Sequence, residues 1–199
     1  MQRIAVFGGA FDPPHNGHLA TIGKLVNSGD FSRVLVVPSG DRPDKTERAR
    51  AAERLHMVKL VVGDLFPNDS RVEVFAGQAL GEVGYRTVDL YDYLVKEYPG
   101  ASLEFVIGSD LLAELPEWRE VERLKKFQFV TLVRPGIVES ALADRIAEGF
   151  TIRELNHDSR LGVMISSSLL RKELQTNRST AGFLPSVVGE YIKLRNLYA

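Results

Sequence analysis

The sequence predicts an α/β fold, a mostly parallel, doubly wound sheet with helices on both faces. Three observations carry that expectation: short apolar runs alternate with longer segments of helical period, several runs end in glycine or serine clusters, and no repeat, low-complexity tract or linker breaks the pattern. Parallel strands need crossover connections, usually helical, so this alternation is what such a sheet requires. Ligands of open sheets of this kind lie beyond the carboxyl ends of the strands.

Taken in order, residues 3–7 read as a buried strand ending at Gly8-Gly9, and Leu19, Ile22, Leu25 and Val26 then share one helical face until Gly29. Residues 34–37 form a second strand, and 48–64 a long helix on which Leu55, Val58 and Val62 recur at helical spacing. Between them lies a charged, proline-interrupted loop, 38–47. A third strand over 72–75 leads through a glycine-studded loop to a helix that starts near Thr87 and ends at Pro99. Residues 103–107 are a fourth strand closing in Gly108-Ser109-Asp110, followed by helical segments at 111–115 and 118–126. A fifth strand spans 127–133, a helix 139–148, and a short last strand 162–165 feeds a helix through Leu174. A final amphipathic segment covers 187–197. All 199 residues are expected to form one domain.

Composition excludes whole classes of function. Apolar residues at 44%, charged residues at 26% and a mean hydropathy of -0.08 do not fit disordered, collagenous or coiled-coil chains. The absence of cysteine removes disulfides, Fe–S clusters, Cys-bearing zinc sites and thiol nucleophiles together. Lys+Arg 25 against Asp+Glu 26 gives net charge -1, without the overall basic field of a nucleic-acid binder, although a local phosphate site is allowed. No apolar stretch approaches the roughly 20 residues that cross a bilayer, and the N-terminal run has no signal-peptide core. A soluble, cytoplasmic protein is expected.

The most informative segment is Gly8-Gly9-Ala10-Phe11-Asp12-Pro13-Pro14-His15-Asn16-Gly17-His18, between the first strand and the first helix. The glycines let backbone approach a ligand, the prolines stiffen the turn, and Asn16 is the expected N-cap of a helix whose free N–H groups and positive dipole end favour an anion. His15 and His18, three residues apart, could both donate to a phosphate. A lone histidine here would read as a cap or an exposed ring; two histidines, two glycines and two prolines at one strand end read as a phosphate seat. The segment is neither a Walker A sequence nor a G-x-G-x-x-G fingerprint. At a second strand-to-helix junction, Ile165-Ser166-Ser167-Ser168-Leu169-Leu170-Arg171 supplies hydroxyls and a guanidinium that could grip another part of the same polyphosphate.

These H-x-G-H and I-S-S-x-x-x-R blocks resemble the paired signatures of the Rossmann-like nucleotidyltransferase superfamily. With Pro38-Ser39-Gly40, Thr87-Val88-Asp89, residues 105–110, Trp118, residues 133–136 and residues 183–192, they are similar to the bacterial nicotinate mononucleotide adenylyltransferases over almost the whole chain. The resemblance implies transfer of AMP from ATP to a pyridine mononucleotide with release of pyrophosphate, and segment 166–199 completing the ATP site. It implies His15, His18 and Arg171 as catalytic, Gly8, Gly9, Phe11, Ser166 and Ser167 around ATP, and Mg²⁺ arriving on the triphosphate rather than on a protein metal site. Ser39, Lys45, Arg86, Thr87, Asp110, Trp118 and Arg134 would surround the mononucleotide. Read without the family, Lys45 is a solvated loop lysine, Asp110 an N-cap and Trp118 a core ring. Its partners would be ATP and nicotinate mononucleotide, with no nucleic acid and no membrane; a homo-oligomer is compatible with the sequence.

The sequence departs from the family pattern at Arg42-Pro43-Asp44-Lys45, at Tyr85-Arg86-Thr87 and, mildly, at Ser168. The first two lie on the acceptor side, which leaves acid or amide open for the pyridine substituent. Phosphopantetheine adenylyltransferase shares both blocks and is the nearest rival, disfavoured by Thr87, Trp118 and residues 183–192. A non-catalytic nucleotide-binding module on the same fold is the rival from another class; both histidines and Arg171 count against it. His56 and His157 match no motif.

Overall fold

In the computed structural model, which describes residues 1–42, 49–132, 139–155 and 165–198, the strand nearest the N-terminus lies inside the sheet. The chain runs β1 (Arg3–Gly9), α1 (Asn16–Asn27), β2 (Arg33–Pro38), α2 (Ala51–Leu65), β3 (Val72–Val74), α3 (Thr87–Glu97), β4 (Ser102–Gly108), 3-10 turns at Ser109–Leu111 and Leu115–Glu117, and α4 (Val121–Leu124). It continues through β5 (Gln128–Leu132), α5 (Glu139–Ala147), β6 (Thr151–Glu154), α6 (Ser167–Gln175) and α7 (Ser186–Arg195). Among the described residues the sheet has six strands in the order β3-β2-β1-β4-β5-β6, every pair parallel. The chain therefore winds outward one way from β1 and the other way from β4, and the crevice between their carboxyl ends is the switch point where this topology puts ligands.

Strand alternation builds a core on each face. Ala5, Val34, Val36 and Val130 pack with Ile22 and Leu25 of α1, Met57 and Val58 of α2, Leu170 of α6, and Val188 and Ile192 of α7. Their neighbours Ile4, Val6, Leu35 and Val37 point the other way, against Val88 and Leu94 of α3 and Leu124 of α4. The expected doubly wound α/β class is the observed one.

Several local expectations shift. A strand that the sequence did not mark, β6, spans Thr151–Glu154; of the expected strand 162–165, Ile165 stands outside any strand and 162–164 lie outside the described residues. Of the four β6 residues Ile152 is the buried one, so no alternation marks it in sequence. The segment 111–126 folds into two 3-10 turns and the four-residue α4 rather than two full helices; Pro116 and the left-handed Glu120 interrupt it. Asn16 is not the cap of α1. His15, extended at φ -145 and ψ 168, takes that position, and the Asn16 side chain instead donates to the Gly182 carbonyl at 2.8 Å.

Candidate active site

The turn after β1 is shaped by Phe11. A Cβ at Gly9 would press to 3.2 Å on the Phe11 ring, whereas one at Gly8 would meet no protein atom within 4 Å, so the space above Gly8 is open. Phe11 holds a left-handed φ of 51 with its ring buried, a conformation costly for a bulky residue and sustained by the packing around it. That ring meets His18 edge-on at 4.8 Å, and the His15 ring stacks on His18 at 3.7 Å. His18 is thus clamped by two rings at the start of α1.

Its protonation follows from a hydrogen bond. The His15 main-chain N–H donates to His18 Nδ1 at 3.2 Å, so the neutral imidazole carries its hydrogen on Nε2 and offers a donor there. His15 is buried and His18 half-buried, which gives the two rings different parts: His15 backs and orients, His18 presents.

The second block closes onto this loop. Ser166 caps α6, its hydroxyl accepting from the Leu169 N–H at 3.2 Å, and Ser167 Oγ donates to the Pro13 carbonyl at 2.9 Å. Arg171 donates to the Asp12 carbonyl at 2.7 Å and to Ser168 Oγ at 3.2 Å, with Asp12 Oδ2 at 3.7 Å. Two segments more than 150 residues apart, each read separately as phosphate-facing, therefore share one seat.

Beyond Gly8 and Gly9 opens a cavity of about 250 Å³ into which Ser39, Thr87 and Trp118 also project, with Phe105 and Ile107 as apolar wall. A second hollow of about 360 Å³ shares Arg42, Thr87 and Trp118 and adds Arg86. Trp118 is partly buried against the α3-side core while lining both, so its ring serves packing and cavity at once. Arg86 NH1 donates to Glu120 at 3.2 Å and its guanidinium lies 6.0 Å over the Tyr85 ring. Tyr85 and Glu120 together raise its pKa, and the pairing sets a carboxylate beside the charge that Arg86 brings to the hollow. Asp110 is exposed in the turn after β4 and lines neither hollow. Lys45 and Arg134 lie outside the described residues, as do Asp44 and His157.

Sequence reading missed three residues that hold this site. Arg54, fully buried, donates to the carbonyls of Ala10, Gly40 and Ala49, to Ser39 Oγ and to Asp41, tying the loop after β1 to the loop after β2. An arginine on the buried stripe of Ala51, Leu55, Val58 and Val62 was the available signal. Asp12, 2% exposed, receives the Ala49 N–H at 3.1 Å and the Tyr198 hydroxyl at 2.7 Å on Oδ1. Asp12 stood inside the motif; nothing local pointed to Tyr198. Among the described residues no group of three acidic or histidine side chains is placed to hold a metal ion, and no helix is long and apolar enough to cross a membrane.

A histidine-bearing turn after β1, a serine–arginine helix start folded onto it and an adjacent ring-sized cavity at the switch point define a nucleotidyltransferase. The cytidylyltransferase-like family profile matches residues 6–173. Over its full length the chain is 32% identical to a probable nicotinate-nucleotide adenylyltransferase of Bacillus pumilus, covering 99% of that protein. It is 29% identical to the nicotinate-nucleotide adenylyltransferase of Bacillus subtilis, over 100% of this chain and 99% of that one. In fold it is similar to Plasmodium falciparum nicotinic acid mononucleotide adenylyltransferase complexed with NaAD, at TM-score 0.79 and 24% identity, covering 100% of this chain and 98% of that chain. The chain belongs to the cytidylyltransferase-like family, and within it to the nicotinate-nucleotide adenylyltransferases.

Proposed function

We propose that this protein transfers AMP from ATP to nicotinate mononucleotide, yielding deamido-NAD and pyrophosphate, at the carboxyl ends of β1 and β4. The observation that carries this reading is the clamped His18 with Nδ1 filled by the His15 N–H, aimed from the start of α1 beside the Arg171 block. In the reaction the mononucleotide 5′-phosphate attacks the α-phosphorus in line, the bond from that phosphorus to the α,β-bridging oxygen breaks, and pyrophosphate leaves with the electron pair. No covalent enzyme intermediate is needed; positioning and charge stabilisation suffice.

Each residue then has a part. His18 Nε2–H donates to the oxygens on which charge develops, a contribution that grows in the transition state. His15 fixes that ring, while Arg171, Ser166 and Ser167 receive the β,γ-phosphates at the start of α6, with Gly8, Gly9 and Phe11 shaping the turn. Mg²⁺ bound to the triphosphate would neutralise part of its charge. The chain's donors fit an ion carried in by the nucleotide, because the Asp12 carboxylate is turned into the core toward Ala49 and Tyr198. On the acceptor side, Trp118 would stack on the pyridine ring, with Ser39, Thr87, Asp110, Lys45 and Arg134 around the mononucleotide. The protein would work in the cytoplasm on these small molecules, without nucleic acid.

Preference for the acid rests on the start of α3. Its first N–H groups have no partner inside the helix and favour a carboxylate, although Asp89 Oδ2 already accepts from the Arg86 N–H at 3.2 Å. With the Glu120 carboxylate beside Arg86, the helix start is the main argument, and a preference of about tenfold corresponds to roughly 1.4 kcal/mol. Incubating the purified protein with Mg-ATP and, separately, nicotinate mononucleotide, nicotinamide mononucleotide and phosphopantetheine, while following pyrophosphate, tests the reading. Fastest release is expected with the acid; release with phosphopantetheine alone overturns the substrate, and none with any acceptor overturns the reaction.

A further inference from the structure

The established family features leave one buried phenol unexplained. Tyr198 belongs to the segment after α7, at a left-handed φ of 65, and its ring joins the core on the α1-side face of the sheet. Its hydroxyl donates to Asp12 Oδ1 at 2.7 Å across 186 positions of sequence. Asp12 takes the Ala49 N–H on the same oxygen, and turns Oδ2 and its main-chain carbonyl toward Arg171. One buried residue thus meets the phenol on one side and the guanidinium on the other.

We propose that Tyr198 is a positioning residue that sets Arg171 through the Asp12 carboxylate, and so controls how the triphosphate end of the nucleotide is held. The inference rests on the reading of Arg171 as a phosphate contact. A buried carboxylate takes whatever donors are in reach. With the phenol and an amide both on Oδ1, charge is drawn to that oxygen, and Arg171 stays 3.7 Å from Oδ2, short of the roughly 2.8 Å of a direct charged hydrogen bond. Without the phenol, more of the Asp12 charge falls on Oδ2, and Arg171, 3.7 Å away, is drawn into contact and away from the nucleotide. The phenol is suited to this part because burial, and then the neighbouring Asp12 charge, push its pKa far up, so that it remains a donor throughout the neutral range.

A purely structural tyrosine would affect both substrates and the melting temperature alike, and the test separates the two. Tyr198→Phe keeps the ring and removes the donor. Affinities for ATP and AMP, measured calorimetrically with the full chain, are expected to diverge: about three- to tenfold weaker for ATP, the size of one ordinary hydrogen bond's net contribution, with AMP unchanged. In an Arg171→Ala background the same substitution is expected to have no further effect on ATP. Asp12→Asn, which leaves no charge to draw Arg171 inward, is expected to hold ATP affinity at or above the wild-type value; it stands in should Tyr198→Phe not fold, and a selective loss of ATP affinity in Asp12→Asn overturns the proposal. Equal weakening of ATP and AMP, an unchanged ATP affinity, or an effect that persists without Arg171 overturns the proposal. If Arg171→Ala itself leaves ATP binding intact, the phosphate role of Arg171 fails instead, which is a different result.

Discussion

At the amino end of the sheet, Glu104 of β4 is buried between Arg3 of β1 and Arg153 of β6, each at 2.7 Å, and Arg153 also reaches Asp30 at 2.9 Å. Both guanidiniums lie over the Phe31 ring. At the carboxyl end, Arg171 donates to the Asp12 carbonyl and Ser167 to the Pro13 carbonyl, which folds the start of α6 onto the turn that carries His18, and Asp12 Oδ1 accepts from Ala49 and Tyr198. The amino end matches two arginines with two carboxylates. The carboxyl end sets Arg171 and Ser167 on main-chain carbonyls of the turn, beside open space over Gly8. Charge balanced within the chain stabilises a framework, whereas donors held in place by packing and backbone await an anion from outside.

Substitutions at the two ends should therefore separate activity from stability. The largest effect is expected from His18→Ala, which removes a preorganised donor: kcat falls by about a hundredfold or more with little change in melting temperature. Steady-state kinetics beside a thermal melt check this, and a variant retaining most of its kcat would reduce His18 to a packing ring. Next comes Arg171→Ala, expected to weaken ATP by about tenfold or more while sparing AMP, since hydrogen bonds to charged groups are worth about 1.5–3 kcal/mol. Equal losses for the two nucleotides would move Arg171 out of the triphosphate site.

The amino end supplies the converse. Glu104→Gln should lower stability by about 1–2 kcal/mol, a value discounted because both arginine partners are about a third exposed, and should leave kcat unchanged. Urea unfolding and kinetics on one preparation decide it; a loss of kcat at intact stability would end the contrast between the two ends. Smallest is Trp118→Ala, which should raise KM for the mononucleotide about two- to tenfold and KM for ATP less, in line with roughly 0.5–1.5 kcal/mol for a stacked aromatic pair. A melting-temperature loss with unchanged kinetics would assign the ring to the core alone.

What was legible in the sequence was what chemistry had kept local. The Gly8–His18 and Ile165–Arg171 blocks each hold their donors within a few residues, and strand–helix alternation announced the sheet on which they meet. The cap at His15 was misread because Asn16 is the better capping residue in isolation, and only the Gly182 carbonyl, brought in from the far end of the chain, draws its side chain elsewhere. Arg54 and Tyr198 were missed for the same reason. Their partners are loop carbonyls and a carboxylate supplied by tertiary packing, which no spacing along the chain encodes. β6 escaped because an edge strand with one buried residue has no period to read.

What sets this chemistry apart is that the carboxyl end moves an adenylyl group rather than a terminal phosphate. ATP labelled at the α-phosphorus and, in parallel, at the γ-phosphorus, each turned over with nicotinate mononucleotide and Mg²⁺, tests it most directly. The α label is expected in the dinucleotide and the γ label in pyrophosphate, with both transfers suppressed together in His18→Ala. Label from the γ position appearing on the mononucleotide, or the α label remaining in free ADP, would contradict it.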